Sequence, residues 1–454
     1  MLLIAMVFIV SLFLFRRASG TLNIGKINVV SYTYYLFLVQ TFLGTVLIAL
    51  GFDKHYTLQK LTSPQSSNTV TFYVVMSTML LLPLVMLAAY RIARINPSEA
   101  YDRYLKAPVK MWDDDRPLFV FVCVGGGICL LLLAVFLFKI GYIPLLAMIK
   151  TPEGLNLATE RVRVGRITVI SEQVRNILIL QFIPLVSYIT FSFALSTRRQ
   201  KWILLAFLFF AASVITKTYN FSKAPIVFHL FIYVLIYLYY KGGIKWQYVL
   251  VFVALMAGVM VLLYLALGYQ DSFLDLYNGI FGRTIFTQVG TLTYNFDLFP
   301  AVFPFLHGRS FAASILPVLG MKSGDYLRSA KLIMDFYGSD KVYDGTAGVM
   351  NSVFLGEAYA NFGYIGIVFS IVWVGAVLAL LFILMVKLQK NPVTITMTAV
   401  LASKVALMSQ GGFTDFIYNA DLIITLVGML VLNKIPDIYR WVAKKYFTKK
   451  QKSS

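Results

Sequence analysis

Six arginines, two lysines and one glutamate stand out as residues whose type and spacing could do chemistry in this chain. Arg161, Arg163, Arg166 and Arg175 crowd into "EGLNLATERVRVGRITVISEQVRN", with Glu160 and Glu172 beside them. Lys217 and Lys223 follow in "TKTYNFSKAP", Arg283 in "NGIFGRTIFTQ" and Arg309 in "FPFLHGRS". A guanidinium fork matches phosphate oxygens two at a time and does not give up its proton. Several of them converging at one level of a very apolar chain suit a lipid-linked pyrophosphate. Glu357, in "NSVFLGEAYANFGYIGIVF", is the carboxylate placed to serve them. A carboxylate among apolar residues at a cleft is desolvated, which suits it to accept a proton from a sugar hydroxyl. Gly356, Gly363 and Gly366 around it would allow a kink or a close backbone approach.

Each of these residues also has a plainer reading. Arg161 could pair with an acid such as Glu153, and Arg175 with Glu172 at i,i+3. Glu357 could simply orient an arginine. Asp297, Asp344 and Asp415 are weaker carboxylate alternatives, His307 is a lone loop histidine, and Lys404 is placed to snorkel or line a cavity.

The elements that must position these groups follow from composition. The chain has 454 residues, 59% hydrophobic and 13% charged, whereas soluble domains carry about 25% charged residues. It reads as an all-α polytopic membrane protein. Apolar runs near 1–15, 29–51, 69–90, 117–138, 167–195, 202–216, 225–240, 246–268, 363–386, 393–409 and 419–433 predict about eleven transmembrane helices. The N-terminal run has neither a basic leader nor a small-residue cleavage site, so a retained first helix is expected. With the N-terminus outside and the C-terminus inside, the inner connections hold 23 of the 40 Lys and Arg in 77 residues, against 15 in 139 outer residues. That asymmetry satisfies the positive-inside rule.

This topology puts an arginine-rich loop at 139–166 and a long segment at 269–345 on the outer face, and a basic tail at 434–454 inside. The 269–345 segment is too aromatic for a disordered linker and contains the helix-like "GDYLRSAKLIMDFYG". It is expected to fold as a cap or partly re-entrant element. The net charge of +20 serves topology here, since no basic stripe or nucleic-acid motif accompanies it. Cys123 and Cys129 would lie about 240° apart on one helix. They and three scattered histidines assemble no metal motif. Burying charge near a bilayer costs a few kcal/mol, so the outer-face arginines call for a counter-ion, water or a substrate.

The order of "GYIPLLAMIK", an arginine-rich connection, "FGRTIFTQ", "FPFLHGRS" and "FLGEAYANFGYIGI" resembles the Wzy-type O-antigen polymerases over roughly residues 140 to 386. That resemblance implies a GT-C-like architecture in the bacterial cytoplasmic membrane, with an active site facing outward. It implies a glycosyltransferase that needs no metal or other cofactor and joins undecaprenyl-pyrophosphate-linked oligosaccharide repeat units. Glu357 and Arg283 would be catalytic, with Arg161, Arg163, Arg166, Arg175, Lys223 and Arg309 binding the donor and acceptor diphosphates. Membrane lipids, a chain-length regulator and a flippase would be its partners, and no nucleic acid. A lipid-linked oligosaccharide flippase and an O-antigen ligase are the alternatives.

Overall fold

A computed structural model describes residues 1–149, 157–222, 224–266, 275–345 and 347–451. The described residues contain helices and turns and no strand. In chain order the main helices are α1 (Leu2–Ser19), α2 (Val29–Ala49), α3 (Pro64–Ile92), α4 (Arg116–Ile140), α5 (Leu157–Arg166), α6 (Glu172–Thr197) and α7 (Gln200–Thr218). They continue as α8 (Ala224–Lys241), α9 (Trp246–Ala266), α10 (Ile280–Leu298), α11 (Ser329–Tyr337), α12 (Phe354–Lys387), α13 (Pro392–Met408) and α14 (Ala420–Gln451).

Nine helical segments among the described residues are long and apolar enough to cross a bilayer, and two shorter apolar helices, Trp246–Val259 and Pro392–Met408, join them. Their positions coincide with the eleven apolar runs in the sequence. Helices suit such a solvent because every interior backbone N–H and C=O is paired within the segment. Threonines inside the spans follow the same logic. Thr33, Thr45 and Thr78 each donate to the carbonyl four residues back, at 2.7–2.8 Å, so these hydroxyls are not stranded.

The chain forms two compact units. The first comprises Met1–Arg103, Tyr269–Val386 and Ala402–Asn419; the second comprises Tyr104–Gly268, Lys387–Leu401 and Ala420–Ser454. In the first unit α2 begins at a reciprocal cap. Asn28 Oδ1 accepts from the amides of Val30 and Ser31, while Ser31 Oγ accepts from the Asn28 amide. π-Helical turns interrupt α2 at Leu38–Phe42 and α6 at Arg175–Phe182.

The stretch at 269–345 is more than a loop. Its α10 has nineteen residues, and Val289 through Leu298 are all buried. Polar residues recur on it (Thr291, Thr293, Asn295, Asp297), which is why hydropathy alone does not mark it as a span. Thr293 and Asp297 are absorbed by partners on α3 and the segment before it, while Thr291 donates to the Asn351 carbonyl and Asn295 to Ser352 Oγ. Thr293 Oγ1 lies 2.9 Å from Thr71 Oγ1, and Asp297 accepts from Thr62, Ser63 and Ser67. The helix expected in "GDYLRSAKLIMDFYG" is α11, tied to α10 by Tyr337 Oη donating to Asp297 at 2.6 Å.

Candidate functional site

Glu357 sits in the first turn of α12 and is only 4% exposed. A turn that includes Gly412 and Thr414 closes over it. Glu357 Oε2 accepts from the Thr414 amide and from Thr414 Oγ1, each at 2.9 Å. A Cβ at position 412 would collide with that same oxygen, so glycine is what allows the turn to approach. Glu357 Oε1 accepts no hydrogen bond among the described residues. One oxygen therefore fixes the carboxylate, and the other is not held by a hydrogen bond among the described residues. Asp415, on the same turn, is half-buried and accepts from the Gly412 amide at 3.3 Å.

The helix bearing Glu357 breaks five residues later. Phe362 and Gly363 leave helical geometry, and Gly363 takes φ 60°, ψ −146°, a conformation open essentially to glycine alone. The kink expected from the glycines is present, although the helix starts at Phe354, before the break rather than at it. The freed carbonyls at the break hold the "LHGRS" turn. Leu306 donates to the Ala360 carbonyl at 2.9 Å and His307 to the Asn361 carbonyl at 3.0 Å. Asn361 Oδ1 accepts from Gly308, and its amide nitrogen donates to the Glu357 carbonyl at 2.8 Å. Two motifs well separated in the sequence thus form one bonded assembly.

The same assembly recruits a residue that spacing did not single out, Arg328. Leu327 donates to the Arg309 carbonyl at 2.9 Å, and Ser310 Oγ donates to the Leu327 carbonyl at 3.1 Å. These bonds set Arg309 and Arg328 on adjacent stretches of chain. Arg328 donates to Asn351 Oδ1 at 2.9 Å and lies within electrostatic reach of both Glu357 and Asp415. Arg309 Nε donates to the Leu306 carbonyl at 3.2 Å. Neither arginine forms a salt bridge among the described residues, so most of their guanidinium donors are uncommitted. Nothing in "DYLRSAKL" announces this role; only the 309–327 pairing brings it about.

Arg283 is placed elsewhere. It is exposed on the first turn of α10, twelve residues before Asn295, the residue that packs against Gly356. At 1.5 Å per residue that is about 18 Å along the helix, so Arg283 does not share a site with Glu357. Its neighbour is His55, which is buried and held neutral. Burial first, then the Arg283 charge, lower the imidazole to about 4, against a smaller opposing influence from Asp275. Asp297 is likewise a structural node. Burial opposes its charge, but hydrogen bonds from Tyr337, Thr62 and Ser63 outweigh that and hold it below the usual carboxylate range. Asp344 is exposed on the surface, and Lys404 is half-buried.

The second unit carries the remaining arginines, on α5 and the start of α6. Arg163 pairs with Glu160 at 2.8 Å, and Tyr142 Oη donates to the same carboxylate at 2.6 Å. Hydrogen bonds from Arg163 and Tyr142 hold Glu160 below its ordinary value. Arg175 is buried; it donates to the Gly165 and Ile167 carbonyls at 2.5 and 2.9 Å and meets Glu172 at 3.4 Å. It caps the end of α5, the local reading the Arg175–Glu172 spacing allows. Arg161 and Arg166 are exposed on α5. Lys223 and Glu153 lie outside the described residues.

Among the described residues no three His, Cys, Asp or Glu side chains come together as metal ligands. Comparison with protein-family models, with curated proteins and with solved structures gives no match.

Proposed function

We propose that the chain is a membrane-embedded glycosyltransferase that polymerises undecaprenyl-pyrophosphate-linked oligosaccharide repeat units at the outer face of the bacterial cytoplasmic membrane. The observation that carries this reading is the arrangement in the first unit. A buried carboxylate is held by one oxygen, and two arginines that form no salt bridge among the described residues stand on the chain bonded to its helix.

In the reaction, a hydroxyl of the acceptor's terminal sugar attacks the anomeric carbon of the donor glycan. The bond from that carbon to the pyrophosphate oxygen breaks, and undecaprenyl pyrophosphate departs with the electron pair. The hydroxyl proton passes to Glu357 Oε1, the oxygen that accepts no hydrogen bond among the described residues. Charge developing on the departing diphosphate is met by the guanidinium donors of Arg309 and Arg328, which gain most where water is excluded. Thr414 and Gly412 keep the carboxylate aimed. Arg283 attracts the anionic substrate without touching the reacting atoms.

The test is reconstitution of purified protein in vesicles with lipid-linked repeat units. A ladder of lengthened glycans supports polymerisation. Transfer of glycan only onto lipid A–core would make the chain a ligase, and movement of the substrate across the bilayer with no new glycosidic bond would make it a flippase.

A further inference from the structure

The second unit contains a cavity of about 630 Å³ among α6, α7 and α8, lined by none of the residues given a role above. That size is within the range of about 300–1,000 Å³ that ligand pockets occupy. Its walls are aliphatic and aromatic, with Leu195, Ile203, Phe207, Phe210 and Leu230 prominent. Phe207 is 71% and Tyr237 40% exposed, so the groove is open on its side, where the surrounding medium of a span is hydrocarbon. One end is different. Arg198, just past the last residue of α6, and Lys241, the last residue of α8, both line the cavity, with Tyr240 beside them.

Two neighbouring cations of this end already share a carboxylate. Arg199 and Lys201 both bind Asp115, at 3.1 and 2.8 Å. Arg198 and Lys241 have no acidic partner among the described residues. An apolar trough ending in two uncompensated cations is complementary to a molecule with a long hydrocarbon chain and an anionic head. Basic pockets between transmembrane helices are a recognised way to hold such headgroups.

We propose that this groove is a binding site for an anionic diacyl phospholipid, one acyl chain lying along α7 and α8 and the phosphate between Arg198 and Lys241. The site shares no residue with the glycan-joining centre and does not depend on that assignment. Its occupancy would clamp the ends of α6 and α8 together.

The test uses full-length protein in phosphatidylcholine vesicles containing a minor share of phosphatidylglycerol, extracted into mild detergent, with retained lipid counted by native mass spectrometry. Phosphatidylglycerol is expected to be enriched several-fold over its share in the vesicles. Arg198→Asn, which suits the φ of 54° at that position, and Lys241→Gln should each cut the enrichment about fivefold. Ala206→Phe, which fills the groove without touching charge, should remove it as well. Thermal unfolding of each variant in lipid-free detergent reports whether it is folded. Retained lipid in the same ratio as the vesicles, or unchanged enrichment in the folded Arg198→Asn/Lys241→Gln variant, would overturn the proposal. So would displacement of phosphatidylglycerol by an equal share of undecaprenyl phosphate, which would give the groove to the isoprenoid.

Discussion

At the scale of single residues, Arg328 and Arg283 separate two accounts of the outer-face charge. Arg328 stands within electrostatic reach of Glu357, whereas Arg283 lies at the far end of α10 from it. Losing a preorganised donor to a departing anion costs about 10²–10³ in rate. Arg328→Lys keeps the charge but loses the fork, so it should lower the rate of glycan elongation by about that factor. Arg283→Lys should change it little, and the readout is initial rate in reconstituted vesicles. Asp297 gives a stability prediction. Hydrogen bonds from Tyr337, Thr62 and Ser63 hold its folded-state pKa down against burial, so its contribution is complete above the ordinary carboxylate value of about 3.9 and is lost as pH falls through the lower folded value. Asp297→Asn should cost about 1.5–3 kcal/mol at neutral pH. The gap to wild type should narrow in unfolding experiments carried towards acid pH. The identities of Glu357 and Arg309 were readable from the sequence, because a carboxylate flanked by glycines and an arginine in a tight Gly-Arg-Ser turn are unusual in so apolar a chain. Arg328 was not, because its place depends on Leu327 pairing with Arg309, a contact that no periodicity encodes.

At the scale of elements, the break in α12 and the turn at 412–416 decide how Glu357 is presented. Gly363 occupies a conformation that costs a residue with a side chain about 1–3 kcal/mol. Gly363→Ala should therefore destabilise the break and, with it, the 306–310 turn that hangs from Ala360 and Asn361. Gly412→Ala tests positioning more narrowly. The added methyl group collides with Glu357 Oε2, so the carboxylate must move while the spans stay as they are. Glycan elongation should fall at least tenfold with unfolding temperature nearly unchanged; an unaltered rate would show that the orientation of this carboxylate is immaterial. The long apolar helices were legible because each is a run of residues that no aqueous loop would carry. Helix α10 was read only as part of a cap because its Thr, Asn and Asp residues lower its hydropathy. Their partners on α3, on the segment before it and at Asn351 and Ser352, which make them cheap to bury, are visible only in three dimensions. The local fate of Arg163 and Arg175 was half visible: the nearby acids are in the sequence, but the carbonyls at the end of α5 are not.

At the scale of the whole molecule, nine long apolar helical segments and two shorter apolar helices among the described residues make a multi-pass membrane protein, and the distribution of basic residues argues for an orientation. Ser66 and Ser454 offer small, exchangeable positions in an expected outer connection and in the expected inner tail. In intact cells of a Cys123→Ser/Cys129→Ser background, Ser66→Cys should react with a membrane-impermeant maleimide and Ser454→Cys only after lysis. The reverse pattern would invert the topology and put Glu357 on the wrong side for an exported glycan. The central claim is narrower still: the free oxygen of Glu357 accepts the proton of the attacking hydroxyl. Loss of a general base lowers rates by about 10²–10⁴. The most direct measurement is the rate of glycosidic bond formation by purified wild type and Glu357→Gln in the same vesicles, with binding of the lipid-linked repeat unit measured alongside. The account predicts a loss of at least a hundredfold in rate with substrate binding retained, and wild-type elongation by Glu357→Gln would contradict it.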